Sequence, residues 1–322
     1  MKAIRIHETG GPDKLRLDEV PLPIPGAGEV RLRVEAAGLN YVDTYQRSGL
    51  YAVALPYTLG LEAAGTITAV GEGVTEFKVG DRVASARMTG AYAEEALAPA
   101  AQLVRLPDGL EARLGAAILL QGLTAHALAT DVFPLKAGDV ALIHAAAGGV
   151  GLLLTQIAKK RGARVVACVG SEAKVSLARE AGADEVIVTT RESFAAAARR
   201  LTGGRGVDVV YDSVGKDTFE GSLDSLRPRG MFVTYGNASG PVPAFSPLIL
   251  TQKGSLFLTR PSVNHYVATT AELRDRAADL LGWVADGSLK VRVGATFPLA
   301  EAADAHRAIE SRATTGKILL LP

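Results

Sequence analysis

The feature that most constrains the fold lies between residues 140 and 259, where six short apolar runs alternate with helix-like segments. The expected strands are 140–144, 164–169, 185–188, 207–211, 231–235 and 255–259, and the expected helices between them are 150–161, 171–181, 193–201 and 219–226. Strands that are apolar almost throughout need cover on both faces, and a strand–helix–strand unit returns parallel through a right-handed crossover. Six such strands predict an α/β fold with a doubly wound parallel sheet of the Rossmann type.

The preceding residues have a different rhythm. The stretches "VRLRVEAAG", "AAGTITAVGEGV" and "GDRVAS" alternate apolar and polar residues between glycine and proline breaks, which predicts short strands in a β-rich domain. The proline-spaced "PLPIPGAGE" at 21–29 lacks the N–H groups of a central strand and reads as an exposed connection. Because 322 residues exceed the usual single core, we expect a β-rich domain over 1–122, a Rossmann domain over 123–265 and a tail over 266–322. The tail carries two helical patterns, 271–285 and 299–311, and the short strand "KILLL".

Between the first strand and first helix of the Rossmann pattern stands "HAAAGGVG", residues 144–151. A G-x-G-x-x-G fingerprint requires its second glycine for backbone approach to a pyrophosphate and its third for close helix packing. Gly148 and Gly151 meet those demands and Ala146 departs at the first position, where a tight turn is needed. Gly149 and Val150 begin a helix whose free N–H groups and positive dipole end suit phosphate. The alternative is an ordinary glycine-rich turn. The second strand then ends in Gly170, Ser171 and, three residues on, Lys174, where a site for unphosphorylated ribose would place an acid. A hydroxyl and a cation suit a 2′-phosphate, so NADPH is the expected cofactor. Glu172 between them keeps open an NADH site with Lys174 solvated.

Taken together, "GLNYVDTYQRSGLY" (38–51), "HAAAGGVG", "VYDSVG" (210–215), "YGNASG" (235–240), "QKGSLFLTRPS" (252–262) and "ESRATTGKILLLP" (310–322) resemble the zeta-crystallin-like quinone oxidoreductases of the medium-chain dehydrogenase/reductase superfamily. The resemblance runs through nearly the whole chain. It implies a chaperonin-10-like catalytic domain completed by the tail, a Rossmann domain binding NADPH in the cleft, and a homodimer paired through Rossmann edge strands, here "GSLFLTRPS". Zinc-dependent relatives read G-x-C-x-x-D and G-H-E; this chain reads Gly38, Leu39, Asn40, Tyr41, Val42, Asp43 and Gly60, Leu61, Glu62, with Gln121 at the third-ligand position. Thiolate and imidazole, the usual zinc ligands, are thereby removed, and a zinc-independent enzyme is expected. A quinone is electrophilic enough to take hydride, or electrons one at a time, without a metal, so the resemblance implies a small-molecule quinone as substrate and no essential acid–base residue.

Carried over by position, Asn40 is expected beside the nicotinamide ribose or amide, and Tyr45 and Tyr51 along the substrate cleft, with ordinary domain-edge packing as the alternative for the tyrosines. Asp43 is expected to fix its loop or Arg47, and Thr124 either approaches the nicotinamide or caps a helix. Gly148, Gly149 and Val150 are assigned to the pyrophosphate, Ser171 and Lys174 to the 2′-phosphate, Gly215 to the adenine side and Asn237 to the ribose. Leu258, Thr259 and Arg260 are assigned to the carboxamide region, and Arg260 and Lys317 are cationic partners for the diphosphate unless merely solvated. Many relatives carry a tyrosine after the third strand that contacts the 2′-phosphate. Here that position is Thr189, so either Arg191 compensates or the NADPH preference is weaker.

Composition removes several other classes. A net charge of +1 without a basic block gives no electrostatic footprint for nucleic acid or anionic membrane. The single cysteine, Cys168, excludes an internal disulfide and a multi-cysteine metal site and reads as an inert core thiol, and the five histidines read as surface or core-edge residues. No signal-like start or 18-residue apolar run is evident, so a cytoplasmic protein is expected. Two functions compete with quinone reduction: NADPH-dependent reduction of α,β-unsaturated aldehydes or ketones, and non-catalytic NADPH binding.

Overall fold

The structure is a computed structural model describing all 322 residues. Its chain divides into two compact units, one of Met1–Leu123 with Val267–Pro322 and the other of Thr124–Tyr266.

The second unit is built on a six-stranded sheet. In spatial order its strands are Glu185–Val188, Arg164–Val169, Val140–Ile143, Val207–Asp212, Leu226–Thr234 and Phe257–Thr259, all parallel. Numbered along the chain, this is the 3-2-1-4-5-6 order of a Rossmann sheet, whose winding reverses between the first and fourth strands. Leu142, Val166, Ile187, Val210, Leu223 and Phe232 form its sealed interior. Each such side chain contributes roughly 1.5–3 kcal/mol of burial.

Three features differ from the sequence reading. The fifth strand begins at Leu226 because Leu226 already pairs with Val207, and an irregularity spanning Arg229, at φ 59°, precedes the Met231–Val209 pair. The segment expected as one helix over 171–181 is a 3-10 turn, Glu172–Lys174, followed by the α-helix Val175–Glu180. A short helix, Leu248–Gln252, also lies outside the expected pattern.

The first unit contains a sheet in the order Val293–Pro298, Lys317–Leu321, Glu29–Leu39, Glu62–Val70, Arg82–Ser85 and Val104–Arg105, with Glu95–Pro99 also paired to Glu29–Leu39. The tail strand Lys317–Leu321 sits inside this sheet, antiparallel to residues 37–39 and parallel to 293–298. Ile4, Leu32, Ile67, Tyr92, Leu103 and Leu320 pack beneath it. The helix Tyr41–Ser48 has no apolar periodicity because its inward face carries Asp43, Thr44, Tyr45 and Arg47.

The helical stretch Ala112–Val132 contains no 18-residue apolar run, being interrupted by Arg113, Gln121, His126 and Asp131, yet by length and mean hydropathy it could cross a membrane. It is instead a core element, with 72% of its most apolar stretch buried within the fold.

Candidate functional site

In the second unit, the residues singled out by the sequence gather beyond the carboxyl ends of the parallel strands. The strand Val140–Ile143 runs into a turn in which Ala145 adopts φ 48°, and the helix Gly149–Lys160 begins at the N-cap Gly148 without any side-chain cap. The amides of the first helical turn have no partner within the helix, and the positive end of the helix dipole lies there as well. A Cβ on Gly151 would stand 2.3 Å from the Ala145 carbonyl oxygen and 2.7 Å from Ala146 Cα, so the loop folds this tightly only over glycine. Gly148 is less constrained, its Cβ meeting the Ala145 carbonyl oxygen at 3.1 Å. This uncapped turn follows the strand at the switch point of the sheet, where open α/β sheets bind phosphate-bearing ligands.

The fourth strand contributes a buried acid that the sequence reading passed over. Asp212 Oδ1 accepts from the amides of Val214 at 2.7 Å and Gly215 at 3.0 Å, and Oδ2 accepts from Thr218 Oγ1 at 2.7 Å and Ser222 Oγ at 3.0 Å. His144 Nε2 lies 3.0 Å from the same Ser222 hydroxyl, and burial lowers the His144 pKa. Serine, histidine and aspartate thus meet without a hydrolytic triad, because all three are buried and the serine hydroxyl is turned onto the acid. The group shapes the loop 213–218. Gly215, at φ 93°, has no room for a Cβ, which would lie 2.4 Å from the Gly240 carbonyl oxygen. Its glycine is therefore required by the protein's own backbone. Asn237 is buried nearby in sequence, and Arg260 donates from Nη1 to Thr234 Oγ1 at 3.1 Å and to the Gly236 carbonyl at 3.5 Å. Leu258 and Thr259 lie half-buried in the edge strand Phe257–Thr259.

At the other side of the sheet, Ser171 and Lys174 bracket a single 3-10 turn, with the Lys174 amide donating to the Ser171 carbonyl at 3.1 Å. Lys174 is half-buried, and burial lowers its pKa. Glu172 pairs with Arg191 at 2.8 Å.

In the first unit, Asn40 precedes the helix Tyr41–Ser48, and its backbone N–H donates to Asp43 Oδ2 at 2.8 Å. Asn40 Nδ2 donates to the Gly38 carbonyl at 3.0 Å and to Glu62 Oε2 at 2.9 Å, while Oδ1 accepts from Lys317 Nζ at 2.8 Å. Both amide hydrogens are thus engaged, and what remains is acceptor capacity on Oδ1. Lys317 Nζ also lies 2.5 Å from Glu62 Oε2, and Glu62 Oε1 accepts from the Leu120 amide at 2.6 Å. A Cβ on Gly38 would meet Glu62 Oε2 at 2.5 Å, the Ala116 carbonyl oxygen at 2.6 Å and Lys317 Cε at 2.7 Å, so Gly38 makes the space for this ion pair. On the following helix, Tyr45 packs edge-on against Tyr51 with ring centroids 5.3 Å apart, and Tyr51 is 41% exposed.

Several expectations change. Lys317 is no solvated partner for a diphosphate: it is 1% exposed and its ammonium is held by Glu62 and Asn40, because the tail strand that carries it lies within the sheet. Arg47 does not pair with Asp43; its guanidinium bonds Glu310 at 2.6 and 3.1 Å, His306 Nδ1 at 3.1 Å and the Gly10 carbonyl at 3.1 Å. Asp43 instead accepts from the Tyr92 hydroxyl at 3.0 Å, and burial pushes its pKa up to about 7. Thr124 lies inside the helix Ala112–Ala127 and is not a cap. His144 and His306 are core residues, with burial and the Arg47 charge lowering the His306 pKa to about 3. Cys168 is buried, and burial raises its thiol pKa.

The residues present do not fit a catalytic zinc. Asn40, Leu61 and Gln121 supply neither thiolate nor imidazole, and the remaining acid, Glu62, has its carboxylate engaged by an ammonium and two N–H groups. The fit to a phosphate-bearing dinucleotide is good, because the uncapped helix start offers N–H donors where Gly151 permits the tight turn.

Comparison with known proteins gives a consistent result. Residues 26–108 match the family model described as "Alcohol dehydrogenase GroES-like domain", and residues 181–320 match that described as "Zinc-binding dehydrogenase". A quinone oxidoreductase from Pseudomonas aeruginosa is 47% identical over 323 residues, covering 100% of this chain and 99% of the relative. A 2-haloacrylate reductase from a Burkholderia species is 44% identical, covering 98% of each. The crystal structure of an Escherichia coli quinone oxidoreductase complexed with NADPH superposes with a TM-score of 0.98 at 42% identity, covering 100% of both chains.

Proposed function

Because this chain belongs to the quinone oxidoreductase family of the medium-chain dehydrogenase/reductase superfamily, we propose that it is an NADPH-dependent quinone reductase that works without zinc. The observation that carries this reading is the uncapped helix start at Gly148–Val150, at the switch point of a fold that matches an NADPH-complexed quinone oxidoreductase over its whole length.

When bound, NADPH supplies a hydride. The amides of Gly149 and Val150 hold the pyrophosphate, and Ser171 and Lys174 take the 2′-phosphate. Arg260, braced on Thr234 and Gly236, adds a cation beside Asn237. Gly215, Leu258 and Thr259 line the same carboxyl ends of the strands, and Thr124 belongs to the nicotinamide side. Asn40 offers only its Oδ1 acceptor, which suits a ribose hydroxyl. Tyr51, exposed and braced edge-on by the buried Tyr45, offers an aromatic face to a flat quinone ring. A quinone needs no Lewis acid to accept hydride, so the task of these residues is to orient two rings and keep water away. A proton then comes from water or a hydroxyl group.

The relative named as a 2-haloacrylate reductase supports a second reading, hydride delivery to an activated carbon–carbon double bond. Side-by-side kcat/KM values for a simple quinone and an α,β-unsaturated ketone separate the two; a higher value for the ketone overturns the quinone assignment. We also propose a cytoplasmic homodimer joined along the edge strand Phe257–Thr259, on which Phe257 is exposed. Light scattering that gives a monomer mass refutes it.

A further inference from the structure

Resting on the reading that NADPH binds beyond the carboxyl ends of the strands, we propose that the Glu172–Arg191 ion pair sets the discrimination between NADPH and NADH, with Arg191 exchanging Glu172 for the 2′-phosphate.

The residues after the third strand are fastened to the end of the second. Thr189 donates to the Val169 carbonyl from its amide at 2.9 Å and from Oγ1 at 3.3 Å, and Thr190 Oγ1 donates to the Gly170 carbonyl at 3.4 Å. The Arg191 amide bonds the Val188 carbonyl at 2.9 Å. These ties bring the guanidinium to Glu172, with Nη1 2.8 Å from Oε2. The glycine between strand and turn leaves open space, since a Cβ on Gly170 would meet nothing within 4 Å.

Glu172 is a carboxylate close to where a ribose-reading acid is expected after the second strand. Left uncovered, it would accept from the hydroxyls of NADH and repel the dianion of NADPH. Arg191 neutralises it. The side chains are 68% and 59% exposed, and an ion pair in that setting adds little and is readily exchanged. A phosphate offers the guanidinium a doubly charged, bidentate partner, a stronger contact than a solvated carboxylate. Arg191 therefore covers the acid in the free protein and turns to the phosphate in the complex.

The test is direct binding, measured as nicotinamide fluorescence on titrating NADPH and NADH into purified full-length protein. Arg191→Ala is expected to weaken NADPH about tenfold or more, while NADH, now facing an uncovered Glu172, stays level or tightens. Glu172→Gln is expected to tighten NADPH without helping NADH, and the double variant to regain part of the NADPH affinity lost in Arg191→Ala. Both side chains are exposed, and an unchanged Tm checks that each variant is folded. If the wild-type protein prefers NADPH and Arg191→Ala keeps the same Kd ratio, this inference fails while the cofactor reading stands. If the wild-type protein binds neither dinucleotide, both fail.

Discussion

Replacing Lys317 with methionine removes one charge from the Glu62–Lys317 pair while filling most of the same volume. The pair is sealed, at 0% and 1% exposure, with Nζ 2.5 Å from Oε2. Breaking a buried pair typically costs about 3–5 kcal/mol, because the remaining charge cannot be rehydrated. Glu62 keeps N–H donors from Asn40 at 2.9 Å and Leu120 at 2.6 Å, which places the expected loss near the lower end, about 3 kcal/mol. With a urea slope of roughly 2 kcal/mol per molar, the midpoint should fall by about 1.5 M. Trp283 is the only tryptophan and lies in the unit that holds the pair, so its fluorescence follows the relevant transition. The double variant Glu62→Gln with Lys317→Met leaves no stranded charge and should recover most of the loss, to within about 1 kcal/mol. A Lys317→Met midpoint close to wild type, or a double variant less stable than the single one, would refute the reasoning.

Two further outcomes follow from the same geometry. Gly151→Ala puts a methyl 2.3 Å from the Ala145 carbonyl oxygen, so the loop must open; NADPH affinity, by fluorescence titration, should drop about tenfold or more with a smaller change in Tm. Asp43 titrates at about 7 in the folded chain against an ordinary 3.8, so the native state binds its proton more tightly than the unfolded one. Its contribution to stability is full below the unfolded value and is lost as pH rises towards 7. Asp43→Asn keeps an acceptor for Tyr92 and Asn40 and should gain on the wild type as pH rises from 4 to 8, read from Tm; a constant Tm difference would contradict this.

The Rossmann unit was legible in the sequence because its signals are local. Parallel strands covered on both faces are continuous apolar runs, and the glycine turn sits between strand and helix, so strand identity and the phosphate loop follow from short windows. The first unit was less legible. The helix Tyr41–Ser48 buries polar residues and lacks periodicity, and the acid, amide and ammonium that meet around Asn40 come from positions 40, 62 and 317. Lys317 illustrates the limit: a lysine near the chain end reads as a cationic partner for the diphosphate or as a solvated charge, and only the pairing of the tail strand with residues 37–39 turns it inward. Asp212 went unnoticed for a related reason, since its partners Thr218 and Ser222 belong to a loop and helix whose geometry the acid itself creates.

Hydride transfer from NADPH to a quinone with no metal is the activity assigned to this chain. It is tested most directly by exhaustively chelating the purified protein, adding NADPH and para-benzoquinone, and following NADPH absorbance against hydroquinone formed. NADPH should be consumed in equal amount to the hydroquinone formed, at a rate that chelation does not change. Absence of turnover with this and other simple quinones, or activity that disappears on chelation and returns with zinc, would contradict it.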